Sequence, residues 1–458
     1  MPNTLAYLVS FSWPLVVFWM LMRYPTYKAL FLTTLLAFLL LPANFQLDAP
    51  LIPPLNKESI TSLSIVFSLF LLRKKLRYFQ PGIISKILIG YLIVVIVSSE
   101  LNGSVEVIGS RFLPGLTHYD AFSNVIRIFI FFIPFFIGRY FFTSLKNNEY
   151  IFKIMVIMGL IYCIPVIYEL RFSPQLHYKV YGYHASDFIQ SLREGSYRAS
   201  VFIGHGLPLT FWLSTCAIAA MALHKNKIRI GKLSPLLVIG FLLAIIALSK
   251  TWSAYIYVAL GITFVYLLSP KNQIKLAFVL AALIMLYPSS KIMGIFPDKA
   301  IIRNLAEYNE DRANSMTTRY VNEEVLLEHA LKKPFFGWGG WGRNRIYDNT
   351  GKDTSITDGR WIIEYGNFGV FGFVFYYMIL LTPLYYALKN VRYIDDPKER
   401  LYFSVLAIFL ALSIIDSVPN NSMGALNLLL AGALLGQAEL LRKQRTLLIN
   451  ENLYANLR

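Results

Sequence analysis

Leu401-Tyr402-Phe403-Ser404-Val405-Leu406-Ala407-Ile408-Phe409-Leu410-Ala411-Leu412-Ser413-Ile414-Ile415 carries no charged side chain from one end to the other. Continued to Val418, with Asp416 as its one charged residue near the end, it is a helix-length run of the kind that crosses the roughly 30 Å hydrocarbon core of a bilayer with about 20 residues. Outward from it the same texture recurs along the whole chain. It predicts helices near 5–22, 28–44, 60–72, 83–98, 124–142, 151–168, 200–223, 235–249, 252–268, 274–288, 361–388, 401–418 and 424–441. The segments 60–72 and 235–249 are short and would be tilted or broken. With 56% hydrophobic and 15% charged residues in 458, the chain lies outside the range of soluble proteins. The expected fold is all-α: a polytopic membrane protein with about 12–14 transmembrane helices. Residues 1–458 would form a single transmembrane domain, with 289–360 a large, partly helical loop inserted between spans.

Charge sets the expected orientation, because Lys and Arg resist translocation. Arg73-Lys74-Lys75-Leu76-Arg77, Lys225-Asn226-Lys227-Ile228-Arg229, Lys389 to Arg400 and Arg442-Lys443-Gln444-Arg445 fall on one side of the alternation, taken as cytoplasmic. The loops 99–123, 169–199 and 289–360 then lie outside, together with the amino terminus. A net charge of +17 distributed this way reports topology and contact with anionic membrane lipid, and argues against nucleic acid as a partner. Met1-Pro2-Asn3-Thr4 lacks the positive start of a cleaved signal, so the first helix is expected to be retained. Cys163 and Cys216 sit in apolar runs and imply neither a disulfide framework nor a thiolate metal site.

Chemistry is expected in the long polar interval from Met285 to Arg360 and beside the outer helix ends, where a charge is costly without a partner. Lys250, in a short turn with Ser249, Thr251 and Trp252, either snorkels or meets a phosphate. Arg319 opens a predicted amphipathic helix through Val321, Val325, Leu326, Ala330 and Leu331, with Thr317 or Thr318 as cap. There it either binds an anion at the positive helix end or pairs with Glu323. Gly337-Trp338-Gly339-Gly340-Trp341-Gly342 offers two indoles able to stack on sugars or sit at the membrane interface. Arg343 and Arg345 add forked donors for phosphates or carboxylates, or are solvated loop charges.

Asp358, just before a helix start, is a candidate general base, an arginine partner or the helix cap. Arg198 and His205 lie seven residues apart at another outer helix start, where His205 reads as a polar contact or a packing residue. Arg111 and Arg127 are weaker candidates of the same electropositive kind. Phosphate loops, HExxH, GxSxG and outer acidic metal pairs are absent. The expected chemistry therefore uses no cofactor and no metal: arginines and a lysine would neutralise the diphosphate of a lipid-linked sugar donor.

Three blocks carry a resemblance. They are Arg198 through Pro208, Leu248-Ser249-Lys250-Thr251, and Arg319 through Pro334, Gly337 and Gly339 to Gly369 and Gly372. Over about residues 195–385 the chain resembles the O-antigen ligase and O-antigen or exopolysaccharide polymerase superfamily of bacterial inner-membrane glycosyltransferases. The resemblance implies metal-independent, inverting transfer of a glycan from undecaprenyl diphosphate at the periplasmic face. Lys250, Arg319 and Arg198 would hold the diphosphate. Lys250 stands where the family usually has arginine, and Asp358-Gly359 where ligases show His-Asn. That departure favours a polymerase joining lipid-linked repeat units over a ligase acting on a lipid or protein acceptor, with Asp358 activating the acceptor. A lipid-linked oligosaccharide flippase or transporter is the reading from another class. Implied partners are the undecaprenyl-diphosphate-linked oligosaccharide, a flippase and a chain-length regulator.

Overall fold

The computed structural model describes residues 1–48, 53–74, 82–193, 195–421 and 423–455, without the side chains of Arg193 and of residues from 448 on. Lys75, Leu76 and Arg77 of the first basic loop lie outside the described residues. The helices are α1 (Thr4–Arg23), α2 (Thr26–Leu40), α3 (Lys57–Leu71), α4 (Ile83–Glu100), α5 (His118–Phe141), α6 (Asn147–Phe172) and α7 (Leu176–Tyr181). They continue with α8 (Gly206–Lys225), α9 (Pro235–Leu248), α10 (Trp252–Leu267), α11 (Pro270–Leu283), α12 (Tyr287–Ile292) and α13 (Asp298–Tyr308). Last come α14 (Glu310–Ala330), α15 (Arg360–Asn390), α16 (Pro397–Asp416) and α17 (Ala425–Ala455). Only short hairpins, such as Glu106–Ile108 against Arg111–Leu113, break the helical pattern among the described residues.

The chain is an all-α, multi-pass membrane protein. Among the described residues eight helices are long and apolar enough to cross a membrane, and α2, α9 and α10 are shorter apolar helices. Each apolar segment read from the sequence is helical. The outer faces remain apolar, as at Leu8, Phe11, Leu15 and Trp19 on α1 or Ile89, Ile93 and Ile96 on α4, a surface suited to lipid. Inside, α5 and α17 approach until backbone meets backbone: a Cβ on Gly138 would lie 2.0 Å from the Leu429 carbonyl, and one on Gly432 1.9 Å from that of Phe135. Close approach through small residues is how apolar helices gain contact where water offers no drive.

Several boundaries move for identifiable reasons. α5 begins at His118, ahead of residue 124, because Thr117 and Asp120 cap each other. α8 begins at Gly206, with the His205 Nδ1 accepting the Leu207 N–H as cap. α14 begins at Glu310 with Asn309 as cap, and the Thr317 and Thr318 hydroxyls bond back to Ala313 and Asn314. Arg319 is therefore in mid-helix, and the expected helix-end anion site at that residue is not formed.

The largest departure is in α15. Its 31 residues would extend about 46 Å as a straight helix, well beyond a bilayer core. At Gly369 the backbone turns to φ 67, ψ −166, a region open to glycine and closed to residues with a Cβ. The chain folds back there. A Cβ on Gly372 would sit 3.5 Å from the Glu364 carbonyl oxygen, though the two are eight residues apart. Arg360 and Tyr377, seventeen positions apart, both bond Ser417 at the end of α16. The loop segment 334–339 clasps the bend through Trp338 N–H to Gly366, Gly339 N–H to Asn367 and Val370 N–H to Pro334. The first arm, Arg360 to Phe368, is thus drawn inward beside the second. Irregular backbone at that depth survives only where protein or a cavity surrounds it.

The two ends of the bundle differ in charge. One end gathers 99–117, the turn at Lys250 and the interval after α12, joined by contacts such as Ser110 to Thr350 and Arg312 to Lys250. The opposite end holds Lys225, Arg400 and Arg442, with Asn226 bonded to Lys398 and Arg442 to Tyr386.

Candidate active site

The fold-back delivers Asp358 and Arg360 to the bundle, on either side of Gly359, whose hypothetical Cβ would lie 2.2 Å from the Val418 carbonyl. Gly359, not Asp358, occupies the helix cap position, and it offers no side chain for capping. Asp358 instead faces Arg319. The Arg319 Nε stands 3.8 Å from Asp358 Oδ2, beyond hydrogen-bond length, with the two side chains 30% and 47% exposed. This is a loose pair in which neither member is committed. Behind it, Arg319 is within electrostatic reach of Tyr257, which hydrogen-bonds Asp416 at the end of α16. Asn420 steadies Asp416 at 2.9 Å.

Two devices hold α14 in this position. Arg312 bonds the Lys250 carbonyl at 2.8 Å and lies over the Trp252 ring at 5.8 Å. Arg312 and Arg319 are two helical turns apart on one face, so the Lys250 turn and the Asp358 joint are reached by the same side of α14. Lys250 itself is half-buried and has φ 47, an uncommon backbone for a side chain with a Cβ, and such outliers collect at functional sites. The second device is Glu323, one turn beyond Arg319. It does not pair with Arg319; it receives the Trp361 indole N–H and the Tyr287 hydroxyl, with Lys291 3.8 Å away. Burial pushes the Glu323 carboxyl above its ordinary value, against the hydrogen bonds from Tyr287 and Trp361 and the charge of Lys291. Glu323 is a positioning residue.

Other sequence candidates fall elsewhere, and two are corrected. Arg343 is 1% exposed, and its two terminal nitrogens bond Glu106 at 2.8 Å and the Pro114 carbonyl at 3.2 Å. It staples the 99–117 loop to the large loop and offers no free fork to a phosphate. Trp338 is 7% exposed: one ring face stacks on His329 at 4.3 Å, and the Lys333 ammonium sits 4.2 Å from the ring centroid. No ring face is left for a sugar. Trp341 stays open, at 46% exposure. Arg345 pairs with Asp353 at 2.5 Å on the surface.

Arg198 is buried with its stem over Gly206, where a Cβ would meet its Cδ at 2.1 Å. It belongs, with the cap His205, to a collar organised by Glu169, which accepts the N–H groups of Leu176, Ser200 and Val201. Arg111 lies against the Tyr347 ring.

Sequence reasoning missed the second basin beyond Gly359. Arg360 pairs with Glu364 at 2.6 Å and rests 4.8 Å from the ring centroids of both Phe131 and Tyr376. Tyr91 donates to the other oxygen of Glu364 at 2.5 Å. Arg127, one turn before Phe131 on α5, is within electrostatic reach of this group. The available signal was the presence of arginines within or beside apolar spans. No family model matches the sequence, and no curated protein matches it.

Proposed function

We propose that the protein is a membrane glycosyltransferase that takes a glycan from a polyprenyl-diphosphate carrier, and that it joins lipid-linked repeat units into a polysaccharide. The observation that carries this reading is the loose Arg319–Asp358 pair, drawn to the bundle by the fold-back at Gly369 and flanked by apolar helices. A forked cation beside a lipid-facing bundle suits a lipid-borne diphosphate, and an uncommitted carboxylate next to it suits an acceptor hydroxyl. In the reaction the acceptor oxygen forms a bond to the anomeric carbon. The bond from that carbon to the diphosphate breaks, with its electron pair leaving on the diphosphate. Arg319 and Lys250 neutralise the departing charge, and Asp358 receives the hydroxyl proton. Engagement of Arg319 by the diphosphate releases Asp358 for that task.

Basic residues at the opposite end support an orientation with the site on the outer, periplasmic face of a bacterial cytoplasmic membrane. The test is purified full-length protein given a synthetic undecaprenyl-diphosphate repeat unit. A ladder of products is expected, lost in both Arg319→Ala and Asp358→Ala while the variants stay folded. Transfer of one unit to a foreign acceptor, without a ladder, would make the protein a ligase. A ladder that survives both substitutions sinks the assignment.

A further inference from the structure

The basin around Arg360 has more positive charge than its neighbours consume. Both oxygens of Glu364 are occupied, one by Arg360 and the other by the Tyr91 hydroxyl. Arg127 looks into the same space: Arg360, Glu364 and Tyr91 are the charged and titratable groups that act on it. The two guanidinium groups therefore face one carboxylate that is already spent. Glu58 reaches Arg360 electrostatically from another side, but its own neighbour Lys57 offsets it.

Arg127 lies nine residues into α5, about 13 Å along its axis, and its side chain is exposed. An arginine at such depth is costly without a counter-charge, and a second arginine beside it raises that cost. The surrounding polar atoms are also unfulfilled. Among the described residues Arg360 Nε, Asn124 Oδ1 and Asn367 Oδ1 are buried with no hydrogen-bond partner. Asn367 and the Arg127 Nη2 both converge on Gly340, whose Cβ position would lie 3.6 Å from Asn367 Oδ1 and 3.9 Å from Arg127 Nη2. Of these atoms only Arg360 Nε is a donor, the two amide oxygens being acceptors, so it is that unpartnered N–H, together with two guanidinium groups sharing one paired carboxylate, that marks a seat for an anion.

We propose that Arg127 and Arg360 form a second anion seat, distinct from Arg319 and Asp358, for the phosphate or diphosphate group of a lipid. The ligand must bring its charge to membrane depth on an apolar body, which a lipid does and a soluble anion does not. Paired forks suit phosphoryl oxygens, which accept two parallel N–H bonds from each guanidinium. The same chemistry is supplied by two sources, a polyprenyl diphosphate and an anionic phospholipid. The seat itself does not depend on glycosyl transfer.

The test uses full-length protein in nanodiscs of zwitterionic lipid, with bound lipid counted by native mass spectrometry. Undecaprenyl diphosphate and phosphatidylglycerol are added separately. Arg127 makes no ion pair among the described residues, so Arg127→Gln is expected to fold, with Arg127→Lys as the conservative control. At least a tenfold loss of affinity in Arg127→Gln, partly restored in Arg127→Lys, is expected for the lipid the seat takes. Loss confined to undecaprenyl diphosphate identifies the carrier as the source, and loss with phosphatidylglycerol identifies the bilayer. Unchanged binding of both lipids by a folded Arg127→Gln protein overturns the seat. Because no turnover is read, that failure is separate from failure of Arg319 and Asp358 in the ladder assay.

Discussion

Two arginine–carboxylate pairs in the polar part of this chain have opposite characters. Arg343 and Glu106 meet at 2.8 Å, with the guanidinium 1% exposed. Arg319 and Asp358 stand 3.8 Å apart, with both partners open to solvent. The first pair has surrendered its hydration and is held by geometry, so removing one partner strands the other. The second has kept its hydration and can change partners at small cost. Position in the same interval therefore says little about role. Desolvation does: a buried, closely paired arginine holds loops together, and a solvated, loosely paired one is free to meet a substrate.

The sharpest way to break this contrast is to exchange Asp358 for Asn, which keeps shape and removes the base. If Asp358 takes the acceptor proton, turnover should fall about 10²- to 10⁴-fold with an unchanged melting temperature. A drop in melting temperature with turnover retained would reverse the roles of the two pairs. The matching test is Arg343→Ala. It should cost about 3 kcal/mol, the low edge for a broken buried pair because Glu106 is 25% exposed and can recover some water. Thermal unfolding of the purified protein measures it, and a loss under about 1 kcal/mol would show the staple to be weak.

Next in size is Gly369→Ala. A Cβ there would lie 2.3 Å from the carbonyl carbon of Phe335 and would have to accept φ 67. The backbone alone should cost about 1–3 kcal/mol. Because the bend sets the position of Asp358, activity should fall together with stability. Full activity in the variant would separate the fold-back from the site.

The same contrast explains what was legible in the sequence. The apolar helices were, because blocks of about 15 to 25 predominantly apolar residues have no other economical place. Arg319 and Asp358 were legible as candidates, since each stood at a polar border with few alternatives. The fold-back was not: Gly366 to Gly372 reads as the start of one long apolar helix, and only contact with Pro334 and Phe335 reveals the turn. Without the bend, Arg360 marked only the end of the polar interval and its basin was invisible. Trp338 and Arg343 were misread because their burial comes from residues far away in the chain, Glu106 being 237 positions from Arg343. The start of α14 was misplaced because Thr317 and Thr318 imitate caps while Asn309 does the capping.

A smaller effect concerns pH. Burial holds His329 below its ordinary value of 6.5, with the nearby lysines Lys332 and Lys333 acting in the same direction. The unfolded chain therefore binds this proton more readily. Stability from the neutral ring is complete above 6.5 and is lost as pH falls from there through the folded value. Hydrogen exchange at 329–345 should quicken on acidification, and should lose that response in His329→Gln. An identical response in the variant would assign the effect to another group.

The smallest expected effect is the most direct check on desolvation as a criterion. Arg345 and Asp353 are as close as 2.5 Å, yet the side chains are 43% and 31% exposed, so water competes for both charges. A short distance alone would class this pair with Arg343 and Glu106. Exposure classes it with surface pairs, which contribute about 0–1 kcal/mol because screening and side-chain entropy offset the Coulomb gain. Asp353 also accepts from Ser355 through both the N–H and the hydroxyl, so losing Arg345 leaves it with partners. Arg345→Ala should therefore leave the melting temperature and the product ladder nearly unchanged. A loss comparable to that of Arg343→Ala would mean that distance, and not desolvation, decides which arginines hold this loop.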